Sequence, residues 1–143
     1  MSDQIELSKA FETQAGWCGK LGSPFYASLL HSLAHDILDG GPAWTLLEPL
    51  AGGPKNHVLA LRLLAAIHRR VLEGSLPDLA RYFPSAGGSP DDANAWRVLQ
   101  THLEEWGPAF VASIPPVVQT NEIGRSCALM PGFLEVARRS GLP

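Results

Sequence analysis

The sequence predicts an all-α fold, an irregular bundle of about seven helices around one central buried helix near residues 57–73. Three observations carry the prediction. Apolar residues recur at helical spacing in every long segment, and none alternates with the period of two that marks a half-buried strand. Prolines stand where helical first turns would begin, and glycines where helices would end. The run from His57 to Glu73 is apolar almost all the way round, with Val58, Leu59, Leu61, Leu63, Leu64, Ile67, Val71 and Leu72 covering most of its circumference. A helix patterned in this way sits among neighbours rather than on a surface.

In chain order, a first helix is expected over residues 3–20, capped by Ser2 or Asp3, with Ile5, Leu7, Phe11, Ala15 and Cys18 inward and Gly22 as its stop. Ser23-Pro24 reads as N-cap and first helical residue of a second helix, which reaches about Asp39 and stops at Gly40-Gly41. Pro42 opens a short helix through Leu50. Asn56 can cap the central helix, and Gly74 closes it. Pro77 starts a turn or two that Pro84 ends. Ser89-Pro90-Asp91-Asp92 reads as cap, proline and two acids at the positive end of a helix carrying Trp96, Leu99, Leu103 and Trp106. Gly107-Pro108 breaks that helix, and a further turn runs to Ile114. Pro115-Pro116 launches a helix through about Leu129, and Pro131 a last one closed by Gly141.

A chain of 143 residues is expected to form one helical domain with a core of its own. The balance of 11 basic and 14 acidic residues, a net charge of −3, argues against a nucleic-acid backbone binder. Cys18 and Cys127 are far apart with no CxxC pattern, which predicts reduced thiols and a cytoplasmic setting. The start lacks the features of a signal peptide, and no window approaches a membrane span.

His68 is the polar residue that the pattern sends inward, on the azimuth of Leu61, Leu64 and Leu72. An unpaired polar group in a core costs about 1–3 kcal/mol, so it needs a partner. The densest polar run, Gln119-Thr120-Asn121-Glu122-Ile123-Gly124-Arg125, puts Asn121 and Arg125 on one side of a helix, with Glu122 in reach of Arg125. Gly124 inside that helix costs about 1 kcal/mol against alanine, a cost accepted for close approach of a backbone or a ligand. Two readings stay open. Gln119, Asn121, Glu122, Arg125, His68 and Arg69 form a ligand site, or Asn121 and Glu122 satisfy His68 in a network that stitches two helices together. Arg62, Arg69, Arg70 and Arg81 form either an anion-binding patch or a solvated edge in which Arg69 pairs with Glu73. His31 and His35 stand four apart beside Asp36, a spacing that suits a metal, but no third ligand presents itself. They are read as a polar face, and no metal site is assigned. Tyr82 and Trp96 read as anchors of the glycine-rich loop between them.

Three segments together resemble the N-terminal half of a bacterial uncharacterised family, domain-of-unknown-function family 2332. They are Leu21-Gly22-Ser23-Pro24-Phe25-Tyr26; Leu61 to Arg69 continuing through Leu79-Ala80-Arg81-Tyr82-Phe83-Pro84-Ser85; and Val118-Gln119-Thr120-Asn121-Glu122-Ile123-Gly124-Arg125. The QTNEIGR run is the most specific of these. The resemblance implies a longer architecture that continues into a Rossmann-like half similar to S-adenosylmethionine-dependent methyltransferases. No glycine-rich nucleotide turn stands in this sequence, so the resemblance places that cofactor only in the other half.

The expected function is a helical recognition or cap domain, not catalytic by itself. It packs against a methyltransferase-like α/β half or another copy and offers His68, Asn121, Glu122 and Arg125 to a shared cleft. One alternative is an enzyme with His68 or Glu122 as general base and Arg125 holding an anionic small molecule. Another is a structural or dimerising helical protein.

Overall fold

The computed structural model describes residues 2–20, 22–52 and 55–114. These carry seven α-helices, and no strand occurs among the described residues. They are α1 (Asp3–Lys20), α2 (Pro24–Leu38), α3 (Pro42–Leu47), α4 (Lys55–Leu72), α5 (Pro77–Ala80), α6 (Asp92–Glu105) and α7 (Pro108–Ser113). Single 3-10 turns follow α3 at Glu48–Leu50 and α5 at Pro84–Ala86. The all-α prediction holds. The expected helices beyond Pro115, with Cys127 and the QTNEIGR run, lie outside the described residues.

The stops expected at Gly22, Gly40 and Gly74 share one local geometry. Each of these glycines has a positive φ, at 90°, 73° and 84°. In each case the next residue's N–H reaches the carbonyl five back: Ser23 to Cys18, Gly41 to Asp36 and Ser75 to Arg70, at 2.8–3.0 Å. The left-handed glycine turns the chain so that orphaned terminal carbonyls are satisfied.

The starts differ more from expectation. Ser23 stands at the N-cap of α2 with Pro24 behind it, but its side chain makes no capping hydrogen bond. Asn56 lies inside α4 instead of capping it, and its Oδ1 accepts from the Gly52 N–H at 2.9 Å. Asp91, not Ser89, caps α6, accepting from the Asn94 N–H at 3.1 Å. Pro84 opens a 3-10 turn as well as ending the α5 segment.

The core draws on all the long helices. Leu7 and Phe11 of α1, Leu29, Leu30, Leu33 and Ile37 of α2, and Leu59, Leu61, Leu63, Leu64 and Ile67 of α4 are almost completely enclosed. On α4 the residues from Leu59 to His68 are buried apart from the half-buried Arg62, as a central helix requires. Its last turn departs from that pattern. Leu72 is 51% exposed, although it shares the azimuth of the buried Leu61 and Leu64, and Ile5 on α1 is also exposed. Phe25, Tyr26 and Phe83 meet with ring centroids 5.0–5.8 Å apart, pinning the segment after α5 to the start of α2. Tyr82 and Trp96 pack partly buried against the core, as loop anchors should.

α1 and α2 share the most extensive interface among the described elements. A ladder of polar contacts runs along it. Gln4 Nε2 donates to the Ile37 carbonyl and Ser8 Oγ to the Ala34 carbonyl, each at 2.8 Å. The Glu12 carboxylate reaches His31 Nδ1 at 2.8–2.9 Å. Steps of four on one helix meet steps of three on the other, as two antiparallel helices with one turn per rung must do.

A groove built around a buried carboxylate

Asp36 is 7% exposed and lies one turn from the end of α2. Its Oδ2 accepts from the Ala43 N–H at 2.7 Å, and its Oδ1 from Gln100 Nε2 of α6 at 3.2 Å. Gly41 holds the N-cap position of α3 and has no side chain with which to cap it. Asp36 therefore does that work from the preceding helix, and a carboxylate at a helix N-terminus also meets the positive end of its dipole. A Cβ on Gly41 would collide with this carboxylate. The glycine is needed here for close approach, since its φ of −79° suits any residue.

This arrangement fixes two walls of a groove. One wall is the turn from Gly40 to Pro42 with Thr45, Leu46 and Pro49; the other is Leu103 and Glu104 of α6, Trp106, and Val111 and Ala112 of α7. The volume is about 720 Å³, and the lining is mostly apolar. Among the described residues, Thr45 and Glu104 are its only side chains with oxygen donors or acceptors. Pockets of this size and character commonly take small organic ligands.

Trp106 stacks with two neighbouring rings. It lies 4.1 Å from the Phe110 ring at an interplanar angle of 9°, and 5.8 Å from the His102 ring at 18°. The Arg70 guanidinium stands 4.8 Å from the Phe110 centroid and 5.7 Å from that of Trp106. His102 Nε2 sits 3.0 Å from both carboxylate oxygens of Asp78, joining α5 to α6. The orientation of Trp106 is thus held by contacts with His102, Phe110 and Arg70. Neither Trp106 nor Asp36 was expected at a site. The sequence marks Trp106 only by its spacing with Trp96, Leu99 and Leu103, and Asp36 only as the neighbour of two histidines.

Of the side chains assigned to a ligand site from the sequence, two fall within the described residues. His68 is 2% exposed, inside the core as expected, and it is not without a partner. Arg69 is exposed on the next azimuth of α4. Gln119, Asn121, Glu122 and Arg125 lie outside the described residues. Neither His68 nor Arg69 lines the groove. In the proposed arginine patch, Arg70 faces Trp106 and Phe110, while Arg81 lies 5.5 Å from the Tyr82 ring. Glu73, the expected mate of Arg69, accepts from Ser75 Oγ at 2.9 Å.

The pair His31 and His35 does project to solvent, edge to face with centroids 4.6 Å apart. The expectation that no third ligand accompanies them needs correction. Glu12 arrives from α1, and one ligand atom from each of the three lies within 4.8 Å of the others. Asp36, adjacent in sequence, points inward instead to cap α3.

The family model described as "Uncharacterized protein conserved in bacteria (DUF2332)" matches residues 8–143. Neither a curated protein nor a solved structure matches the chain.

Proposed function

The chain belongs to that bacterial family of uncharacterized proteins, and from this membership we propose that it is a helical recognition domain that holds an apolar ligand group in the groove between α3, α6 and α7. The observation that carries the reading is the lining itself. A space of about 720 Å³ is walled by Leu46, Pro49, Leu103, Trp106, Pro108 and Val111, with Thr45 and Glu104 as the polar side chains able to orient a guest. Such a lining suits binding and selection, and among the described residues it offers Glu104 without a paired base. The domain works packed against an α/β, methyltransferase-like half of the kind the resemblance implies. That half supplies any S-adenosylmethionine and the chemistry. Arg69, Gln119, Asn121, Glu122 and Arg125 are proposed to face that shared cleft, whereas His68 is enclosed in the core.

The test uses an apolar fluorescent probe, anilinonaphthalene sulfonate, on the full chain. Ala112 is exposed on α7 and lines the groove, so Ala112→Trp fills it without entering the core. The probe should brighten with the parent protein and lose most of that enhancement with the variant, at unchanged melting temperature. Equal enhancement in both would overturn the groove as the binding site. Co-expression with the α/β half of a family member tests the packing: a stable complex is expected, and two independently eluting proteins would refute it.

A further inference from the structure

We propose that Glu12, His31 and His35 form a surface site for one divalent transition-metal ion, with Zn²⁺ as the ion to test first. Among the described residues this is the one place where three metal-ligating side chains converge. Two imidazoles and a carboxylate are a donor set that zinc accepts, with water completing the coordination. Imidazole nitrogen favours Zn²⁺, Cu²⁺ or Ni²⁺, whereas Ca²⁺ and Mg²⁺ call for an all-oxygen cage.

The geometry is largely prepared by the fold. His31 and His35 are one turn apart on α2, which brings both rings to one face. Glu12 is delivered by the α1–α2 ladder, whose neighbouring rung, Ser8 to Ala34, is buried at 2.8 Å and sets the register of the two helices. The Glu12 carboxylate already touches His31 Nδ1 at 2.8–2.9 Å. A tetrahedral ion with donors about 2.0–2.1 Å away holds those donors roughly 3.3 Å apart. The present limit of 4.8 Å between ligand atoms therefore has to contract modestly. The side chains can supply that by rotation, because His31 and Glu12 are 56% and 43% exposed. Any proton that the carboxylate shares with Nδ1 leaves to water when the ion enters.

An ion held from both helices links α1 to α2, so it should also stabilise the fold by mass action. Calorimetric titration of the full chain, prepared without a histidine tag, should show one equivalent of Zn²⁺ bound and a rise in melting temperature. Ca²⁺ should give neither. His31→Ala and His35→Ala should each weaken binding tenfold or more, and Glu12→Gln roughly tenfold. His31→Gln and His35→Gln serve if either alanine variant fails to fold. Absence of zinc-dependent heat and of a melting shift in the parent protein would overturn the site. So would undiminished affinity in the His31→Ala/His35→Ala double variant.

Discussion

The Asp36 carboxylate accepts the Ala43 N–H at 2.7 Å, so the cap of α3 comes from the helix before it. The same carboxylate accepts from Gln100 on α6. One buried side chain thus ties together three helices and both walls of the groove. Asp36→Ala would leave the Ala43 N–H and the Gln100 amide without their acceptor. A lost cap typically costs about 1 kcal/mol, and a donor left unsatisfied, as the part-buried Gln100 amide would be, about 1–3 kcal/mol. A loss of about 2–4 kcal/mol is expected by urea denaturation, together with weaker probe binding in the groove. Asp36→Asn keeps an acceptor and should lose less. A stability change within about 0.5 kcal/mol for Asp36→Ala, the range of an ordinary surface substitution, would contradict the role given to this residue.

Gln14 on α1 is 2% exposed, and its Nε2 has no hydrogen-bond partner among the described residues. A buried donor left in this way costs about 1–3 kcal/mol. Gln14→Met keeps the length of the side chain and removes the donor. It should raise stability by about 1 kcal/mol, which for a chain of this size is about 4 °C in melting temperature. A drop in melting temperature would show that the amide is engaged after all.

Asp91 accepts hydrogen bonds from the backbone N–H and the side chain of Asn94. These bonds, the backbone one first, hold its carboxyl below the ordinary value of 3.8, with a smaller contribution from Arg97. The carboxylate is thus favoured in the folded state. Its stabilisation is fully present above the unfolded-state value and is lost as pH falls through the depressed folded value. Melting curves from pH 6 down to pH 2 should therefore converge for the parent and Asp91→Ala at the acid end, with the parent more stable above about pH 4. A constant difference across that range would show that ionisation of Asp91 does not matter.

The helix ends were legible in the sequence where the device is local. Gly22, Gly40 and Gly74 each close a helix with carbonyls from their own last turn, so a glycine after an apolar run is enough to place them. The helix starts were less legible because several cap-forming residues stand close together. Ser89 and Asp91 both fit, and only the path of the chain selects Asp91. Leu72 followed the azimuth of Leu64, but burial depends on which neighbour covers a given turn, and no periodicity reports that. The sites were least legible. Glu12 meets His31 across 19 residues, and Gln100 meets Asp36 across 64. Both contacts are set by the register of packed helices, so neither histidine spacing nor a lone aspartate could announce them.

His68 lies in the core where the hydrophobic pattern of α4 places it, at 2% exposure. The sequence offers Asn121 or Glu122 as its partner, and a double-mutant cycle tests the Glu122 pairing without needing either residue's geometry. His68→Leu, Glu122→Gln and the combined variant are measured by urea denaturation. Residues that share a buried polar network couple by about 0.5–3 kcal/mol, whereas distant ones add within about 0.3–0.5 kcal/mol. Coupling of about 1 kcal/mol or more is expected if the two side chains share one hydrogen-bonding network. Coupling with a large loss in each single variant identifies a network that holds helices together. Coupling in complex formation with the α/β half, at nearly unchanged stability of the isolated chain, instead places the pair at the shared cleft. Strict additivity in both measurements would remove Glu122 as the partner of His68 and leave the groove by Trp106 as the better place to look for a ligand.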